Sequence, residues 1–457
     1  MTACRHRVPS TTRRPVRRAL LLLVSVALLI PTLVLPAAAI PTSAPPESAD
    51  VKNAVLVNLE NNLTLYESAN TESAIFPAAT VKIMTGLLAC RALEERQNET
   101  VTVTDSMLST VPPGSRIMNP PLKSGEALTV KDLLYAAICG GYNDATCVLA
   151  TLVSGSYPAF IADMNAEAER LGMEQTYYTN PTGIHDQSMV TSAQDVATLA
   201  REAYESKLYM EISSAQTYSI PATSKAGERE FTNRNYLITG AYRNGYCQGM
   251  CAGMTEEGGW CVVTVYKKNG VENLCVVMGG KDDKAAYEYV NSLLSWANGA
   301  YTYHTVAEAG KVLETAPVGM TGVSKSKAEL VPVKDLTVYL PKGVNFEDHL
   351  TITTHLDDGE LKAPLKAGDV VGTVTVSYDG RVVGRADLTV TEDFKSNGFL
   401  TVLMGFRDYL LSRAFLIALA VFVVLLLIYL RMITGPGGRY GIRAVRRRIK
   451  FVKRKYN

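Results

Sequence analysis

The order of strand-like and helix-like segments most restricts how this chain of 457 residues can fold. Alternating apolar residues predict strands at 54–59 and 64–66, joined by a turn at 60–62. Helical periodicity dominates 77–204, and strand-like sequence returns after Phe231. Strands at both ends of a region, with helices between them, predict an α+β fold in which helices cover a single sheet.

Four segments with helical periodicity are predicted to be the helices of this region. The first opens at Pro77, and the second spans 126–153 with an interruption at Gly140-Gly141. The third and fourth cover 159–171 and 192–204, the last with its first residue, a serine, as N-cap. Each of these helices has an apolar face, and we expect these faces to pack on the sheet.

Two local signals predict where elements begin and turn. Thr129 followed three residues later by Asp132 resembles a capping box at a helix start. Lys268-Asn269-Gly270 lies between two apolar β-rich runs and predicts a hairpin. In that hairpin Cys261 and Cys275 could face each other.

A helix predicted at 283–300 closes a first domain that we place at 51–300. Residues 301–393 differ in kind, because short alternating runs are separated by Gly, Pro and Asp. This pattern predicts a small β-sandwich as a second domain. Its clearest strand-like runs are 336–340, 350–353 and 370–376.

The N-terminal residues have the order of a secretory signal. Several arginines precede an apolar run at 19–35, and Ala37-Ala38-Ala39 offers a cleavage site. We therefore predict a signal peptide at 1–39 and a linker rich in Pro, Ser and Ala at 40–50. A retained membrane anchor is the alternative.

A second uncharged run, 414–430, lies between Arg413 and Arg431 and predicts a transmembrane helix. The segment before it, 394–413, places apolar residues at helical spacing, which indicates a juxtamembrane amphipathic helix. The tail, 431–457, is strongly basic, so the positive-inside rule predicts a cytoplasmic tail and an extracytoplasmic main body. A buried core helix is the alternative for the span.

Charge and cysteine content exclude several partners and cofactors. The net charge of +2 argues against nucleic acid, and the basic tail is better explained by anionic lipid beside a membrane span. One of the eight cysteines lies in the predicted signal, which leaves an odd number and at least one free thiol. Their spacing matches no zinc pattern, so we expect neither a metal nor another cofactor.

Three short segments carry the candidate chemistry: 77–85 with the sequence PAATVKIMT, 141–145 with GYNDA, and 249–255 with GMCAGMT. A serine placed three residues before a lysine lies on the same helical face, so the amine can take the hydroxyl proton. In the first segment the lysine is Lys82, and the residue three positions earlier is Ala79. A methyl group cannot be acylated.

At these residues the chain resembles the serine D-alanyl-D-alanine carboxypeptidases, the low-molecular-mass penicillin-binding proteins. The resemblance covers roughly 54–393 and extends beyond the three segments. It includes Gly125 to Tyr135, the turn Asn180-Pro181-Thr182-Gly183-Ile184, and similar stretches at 192–197 and 232–235. It implies a transpeptidase-like domain, then a β domain, and a role in peptidoglycan metabolism.

The resemblance also implies a role for each position of the first two segments. Ala79 stands at the nucleophile position, and Lys82 at the retained general-base position. Thr80 is adjacent, but one residue rotates a helix by about 100°, so it is not expected to replace the nucleophile. In the second segment Gly141 replaces the family's serine, whereas Asn143 is retained and can still orient an amide.

In the third segment the family has Lys-Thr-Gly on an edge strand, and the corresponding residues here are Cys251, Ala252 and Gly253. The cation expected to hold a substrate carboxylate is lost, and so is the threonine hydroxyl. Gly253 still permits close backbone approach, and Thr255 matches a following threonine. Cys251 is expected to be an inert thiol or disulfide partner, with a reactive thiol as the sharper alternative.

Three hypotheses follow. The first is a membrane-anchored, catalytically inactive homologue that binds peptidoglycan stem peptide or a cell-wall protein. The second is a weakly active serine-type carboxypeptidase with a shifted nucleophile or with Cys251. The third is a purely structural role with a collapsed cleft, filled by Tyr142 or Met250. For Lys82 we expect a structural role, for instance a hydrogen bond to Asn143, rather than membership of a new site.

Overall fold

The computed structural model of the chain describes residues 43–319, 326–343 and 346–434. The predicted signal peptide at 1–39 lies outside the described residues, and so does the start of the predicted linker. Of the predicted basic tail, residues 435–457 also lie outside them.

Elements of the described chain are numbered in chain order. The strands are β1 Asn53–Asn58, β2 Leu63–Glu67, β3 Thr100–Thr102, β4 Ala127–Thr129, β5 Thr217–Ile220, β6 Arg229–Thr232, β7 Cys247–Thr255, β8 Gly259–Lys268, β9 Val271–Gly280, β10 Tyr301–Ala307, β11 Glu314–Gly319, β12 Lys327–Pro332, β13 Leu336–Pro341, β14 Leu350–Leu356, β15 Leu361–Lys362, β16 Val370–Tyr378 and β17 Arg381–Val390. The helices are α1 Val81–Leu93, α2 Asp105–Leu108, α3 Val130–Ile138, α4 Asn143–Ser154, α5 Tyr157–Arg170, α6 Ala193–Tyr204, α7 Lys207–Ser214, α8 Asp283–Ala300, α9 Gly398–Leu411 and α10 Arg413–Thr434.

A five-stranded antiparallel sheet, in the order β2-β1-β9-β8-β7, is the framework of the first unit. β1 from the start of this region pairs with β9 from its end, and Val55 lies opposite Val276. Both residues are fully buried in a core to which α1, α3, α4 and α6 also contribute. The predicted α+β fold, with one sheet built from both ends and covered by helices, is confirmed.

The predicted helices are present, but their starts differ. The segment after Pro77 first makes a 3-10 turn at Ala78–Thr80, and α1 begins only at Val81. The helix expected from 126 is preceded by β4, which pairs with β3, so its first residues are extended instead. Helical periodicity missed this because β4 is only three residues long and its partner lies about 25 residues earlier.

The two local signals are confirmed. Thr129 Oγ1 accepts a hydrogen bond from the backbone of Asp132, whose carboxylate accepts from the backbone of Thr129, which completes the capping box. At the predicted hairpin, Asn269 and Gly270 have φ values of 52° and 80° and connect β8 to β9. The suggestion that Cys261 and Cys275 face each other is wrong, because Cys275 lies opposite Thr264. All seven cysteines of the described chain are free thiols.

The C-terminal strands form a six-stranded sheet in the order β14-β16-β17-β12-β11-β15, and each of the three predicted strand-like runs lies in one of its strands or in β13. Contacts divide the described chain into two compact units, and the second comprises 305–337, 352–376 and the residues from 384 onward. The predicted C-terminal β domain is confirmed.

Two helices follow the β domain. α9 exposes large apolar side chains, among them Phe399 and Phe406. The helix from Arg413 to Ile433 is the one in the described chain that is long and apolar enough to cross a membrane. Its side chains are exposed in the structure, as a lipid-facing span requires. It contains the run predicted to be the span.

A buried ion pair ties β6 to the chain entering β4 and α3. The side chains of Arg229 and Glu126 are 2% and 0% exposed, with Nη1–Oε1 at 2.9 Å and Nη2–Oε2 at 3.1 Å. Thr223 Oγ1 also donates to Glu126 Oε1 at 2.7 Å, and Arg229 Nε donates to the carbonyl of Pro120 at 2.7 Å. The pair therefore fixes the loop from Pro120 to Glu126, which leads into β4 and α3.

Replacing Arg229 with Met is expected to lower the free energy of unfolding by about 3–5 kcal/mol, because Glu126 would stay buried without its countercharge. The double variant R229M/E126Q should recover part of this loss. Chemical denaturation of the detergent-solubilised protein measures both values. Equal stability of the single variant and the parent protein would contradict the assignment.

Candidate active site

The three candidate segments meet at one cleft with a cavity volume of about 200 Å³. The first contributes its 3-10 turn and α1, the second the start of α4, and the third the C-terminal half of β7. The turn between α5 and α6 completes the wall. The lining residues are Ala79, Lys82, Ser115, Arg116, Gly141, Asn143, Thr182, Gly183, Ile184, Arg234, Ala252, Gly253, Met254 and Thr255. The structure thus brings together every predicted site residue except Cys251, which lies beside the cleft floor.

The turn that carries Ala79 is held by close backbone packing. Ala78 is 2% exposed and has a φ of 47°, a left-handed conformation that costs energy in a residue with a side chain. A Cβ on Gly183 would lie 2.2 Å from the carbonyl oxygen of Ala78, and Gly183 itself has a φ of 78°. Glycine at 183 is therefore required for the Asn180–Ile184 turn to approach the nucleophile position.

Lys82 is one of the residues that line the cleft. Its Nζ donates a hydrogen bond to the carbonyl oxygen of Thr182. The expected hydrogen bond to Asn143 is wrong, because Asn143 Oδ1 has no partner among the described residues. The reason is that the Asn180–Ile184 turn, which lies about 100 residues away in sequence, places a carbonyl oxygen within reach. Burial lowers the pKa of Lys82 to about 8, against an opposing effect of Cys251. This shift brings the pKa of Lys82 closer to neutral pH than that of an ordinary lysine.

The hydroxyl next to the nucleophile position points away from the cleft. Thr80 Oγ1 donates to the carbonyl oxygen of Pro77 at 2.7 Å, and the residue is 2% exposed. The expectation that Thr80 does not replace the nucleophile agrees with this geometry, because its hydroxyl is engaged and inaccessible.

The second segment begins α4. Gly141 has a φ of 69°, so a serine at this position would adopt a strained backbone. The backbone N–H of Asn143 donates to the backbone carbonyl oxygen of Arg116 at 2.7 Å, which fixes the helix start. Asn143 is 5% exposed, yet its Oδ1 has no hydrogen-bond partner among the described residues. A buried acceptor without a partner is costly, so Oδ1 is available for a ligand N–H group.

Cys251 is a protonated thiol. Its Sγ donates to the carbonyl oxygen of Ala79 at 3.0 Å. Burial raises the pKa of Cys251 to about 12, although Lys82 opposes this shift. Since the thiolate is the nucleophilic form, these contacts describe an inert thiol rather than a reactive one.

The remaining third-segment residues bring β7 against the first segment. A Cβ on Gly253 would lie 2.8 Å from the Cβ of Ala79, so only glycine permits this approach. Ala252 lines the cleft with a methyl group where a hydroxyl is missing. Thr255 Oγ1 accepts from the amide of Gly258 at 3.0 Å, which closes the turn that follows the strand.

The sequence analysis gave no site role to seven of the lining residues: Ser115, Arg116, Thr182, Gly183, Ile184, Arg234 and Met254. Ser115 and Arg116 lie on an irregular loop before β4, which carries no periodic signal, and Thr182 and Arg234 lie on other loops. Among the described lining residues the charged groups are three cations, Lys82, Arg116 and Arg234, and no carboxylate. The excess of positive charge could have been found only from the three-dimensional structure.

Two family models match the chain. The D-alanyl-D-alanine carboxypeptidase family matches residues 40–282, and the penicillin-binding protein 5 C-terminal domain family matches residues 301–396. The chain belongs to the D-alanyl-D-alanine carboxypeptidase family, whose members are the low-molecular-mass penicillin-binding proteins.

Individual relatives cover most of the chain. The D-alanyl-D-alanine carboxypeptidase DacF of Bacillus subtilis is 28% identical over 361 residues, which are 78% of this chain and 88% of that protein. DacC of Escherichia coli is 28% identical over 368 residues, covering 77% and 86% of the two chains. Both relatives are named D-alanyl-D-alanine carboxypeptidases.

Solved structures show the same fold. Penicillin-binding protein 5 from Haemophilus influenzae superposes with a TM-score of 0.60 at 26% identity, covering 78% of this chain and all of that one. A peptidoglycan synthesis regulatory factor (PBP3) from Streptococcus pneumoniae gives a TM-score of 0.63 at 21% identity, covering 76% of this chain and all of that one. The second likeness concerns the fold alone.

Replacing Lys82 with Met should change how stability depends on pH. Lys82 has a lower pKa in the folded chain than in the unfolded one, so burying its charge costs stability at pH values below about 8. That cost disappears as the pH rises from about 8 to the ordinary lysine pKa, because the folded chain loses the proton first. We expect the stability difference between K82M and the parent protein to change by about 1–3 kcal/mol over this range.

Chemical denaturation at pH 7 and pH 10 measures this difference. The matched control is Lys225→Met, because Lys225 is an exposed cation outside the cleft. A K82M effect that is the same at both pH values would show that Lys82 titrates as an ordinary lysine.

Proposed function

We propose that this protein is a catalytically inactive member of its family, which binds D-alanyl-terminated stem peptides of peptidoglycan without cleaving them. The family assignment and its named relatives supply the class of ligand. The open, positively charged cleft supports retained binding. A protein of the cell wall is the other partner that this cleft could serve.

The observation that carries the proposal is the absence of an available nucleophile at the family position. Position 79 is a methyl group, the Thr80 hydroxyl is bonded to a buried carbonyl, and the Cys251 thiol is protonated. Removing the nucleophile of a serine hydrolase lowers the rate on the order of 10⁶-fold. Lys82 keeps the basicity for proton transfer, but no hydroxyl at position 79 can use it.

The cleft nevertheless keeps features that a binding site needs. Its cavity is open, and neither of the side chains expected to fill a collapsed cleft lines it. Tyr142 instead packs edge-to-face on Phe231, and Met250 is 2% exposed in the core. Asn143 Oδ1 is positioned to accept a hydrogen bond from a peptide N–H group. These features favour a binding role over a vestigial cleft.

We further propose that α10 anchors the protein in the cell membrane, with the main body outside and the basic residues after Arg431 in the cytoplasm. α10 has the length and composition of a span, and Arg431 lies in its last turns. The excess of Lys and Arg after it supports this orientation. In this position the cleft-bearing domain would have access to peptidoglycan.

The purified protein is expected to release no D-alanine from a peptide ending in D-Ala-D-Ala, and to form no covalent adduct with fluorescent penicillin. It should bind the same peptide reversibly in a calorimetric titration. Covalent labelling that disappears in the variant T80A, S115A or C251A would identify a shifted nucleophile. That result would establish the weakly active enzyme in place of the binding protein.

The variant A79S is expected to acquire slow labelling by fluorescent penicillin, because Lys82 still supplies the base three residues later. The matched control A79S/K82M should remain unlabelled. Rates well below those of active relatives are expected, since Gly141 and Cys251 remain unreplaced. If A79S stays unlabelled while remaining folded, loss of the nucleophile is not what silences the site.

A further inference from the structure

The proposed ligand ends in a carboxylate, but β7 provides no cation to bind it. At position 251 a neutral thiol donates to the carbonyl oxygen of Ala79, so it neither carries a charge nor faces an incoming anion. A carboxylate that loses its contact with water needs a charged or strongly donating partner. If the cleft binds such a ligand, its anion site must be built from other residues.

Arg116 lines the cleft, and two contacts position its guanidinium, one at an edge and one on a face. Its Nε donates to the carbonyl oxygen of Gly140 at 3.2 Å. Its guanidinium carbon lies 4.6 Å from the centre of the Tyr142 ring. The amide of Asn143 binds the carbonyl of Arg116 at 2.7 Å, which fixes the backbone as well. A stacked guanidinium loses less entropy when it binds an anion, because its plane is already set.

The terminal nitrogens of Arg116 are available. No described residue forms a hydrogen bond with either of its Nη groups, and the side chain forms no ion pair within the described chain. The neighbouring Ser115 lines the same cavity, and its buried Oγ also has no hydrogen-bond partner in the described chain. One hydroxyl and one planar pair of N–H groups are therefore free on adjacent residues.

Arg234 is the other arginine of the cleft. Its Nη1 donates to the hydroxyl of Tyr236 at 3.3 Å, and its Cβ and Cγ pack 3.8–3.9 Å from where a Cβ on Gly141 would lie. The aliphatic part of the Arg234 side chain therefore lies next to Gly141, which has no side chain of its own. Arg234 adds positive charge to the cavity, but part of its donor capacity is already used.

We propose that Arg116, with the hydroxyl of Ser115 beside it, binds the terminal carboxylate of the ligand in place of the cation missing at position 251. This assignment rests on the proposed binding function and names the residue that confers selectivity for an anionic end. The planar guanidinium can bind both carboxylate oxygens at once, which a lysine at 251 could not do. The anion site has therefore moved from the edge strand to the loop before β4.

The experiment compares two synthetic peptides that end in D-Ala-D-Ala, one with a free carboxylate and one with a C-terminal amide. Isothermal titration with the full-length protein in detergent measures the Kd of each. The parent protein should prefer the free carboxylate. Arg116→Ala should weaken binding of the carboxylate peptide by about tenfold or more, as expected for loss of a charge-assisted pair. It should leave the affinity for the amide peptide nearly unchanged.

Three further variants sharpen the test. Arg116→Lys keeps the positive charge but lacks the planar pair of N–H donors of a guanidinium. Its Kd for the carboxylate peptide should therefore lie between those of the parent protein and R116A. Ser115→Ala should cause a smaller loss that is again confined to the carboxylate peptide. The matched control is Arg243→Ala, because Arg243 is an exposed arginine of the same unit that lies outside the cleft. It should bind both peptides like the parent protein.

The failures are distinguishable. If the parent protein prefers the carboxylate and R116A binds it equally well, the role of Arg116 is wrong while the binding function stands. If Arg234→Ala instead of R116A weakens binding of the carboxylate peptide, the role of Arg116 is again wrong while the binding function stands. If the parent protein binds neither peptide, the proposed binding function itself is wrong, and the assignment of Arg116 falls with it.

Discussion

The pairing of β1 with β9 is the constraint on which the rest of the first unit depends. Because the two ends of a region of about 230 residues share one sheet, the intervening helices must pack against it. The 3-10 turn, the start of α4 and the end of β7 then meet beside the sheet, although they are far apart in sequence. This framework is buried, so its stability comes mainly from the core rather than from the residues of the cleft.

Within that framework close backbone contacts hold the cleft segments together, although positions 79, 141 and 251 carry alanine, glycine and cysteine. Gly253 still packs against position 79, and Gly183 still packs against Ala78, so the backbone remains where a nucleophile would need it. Lys82 lines the cleft with its pKa lowered to about 8 by desolvation, which costs stability at neutral pH. An open cleft with these contacts is what the proposed binding function requires.

Several elements could be predicted from sequence because their causes are local. The hairpin at Asn269-Gly270 depends on two residues that tolerate positive φ, and the capping box at Thr129 depends on groups three residues apart. β4 could not be predicted from helical periodicity, because its partner strand decides its conformation. The supposed pairing of Cys261 with Cys275 failed because the two-residue turn at Asn269-Gly270 pairs Lys268 with Val271, and this register places Thr264 opposite Cys275.

The sequence by itself determined the α+β class and an apolar segment suited to a membrane. It also shows that alanine, glycine and cysteine stand at positions 79, 141 and 251. These depend on residue identity and short-range periodicity, which a linear chain displays directly. Only the tertiary structure decided that Lys82 binds the carbonyl of Thr182, that the Cys251 thiol is bonded to Ala79, and that Arg116 lines the cleft. Each of these is a contact between loops or elements far apart in sequence, and its energy depends on burial, which exists only once the chain has folded.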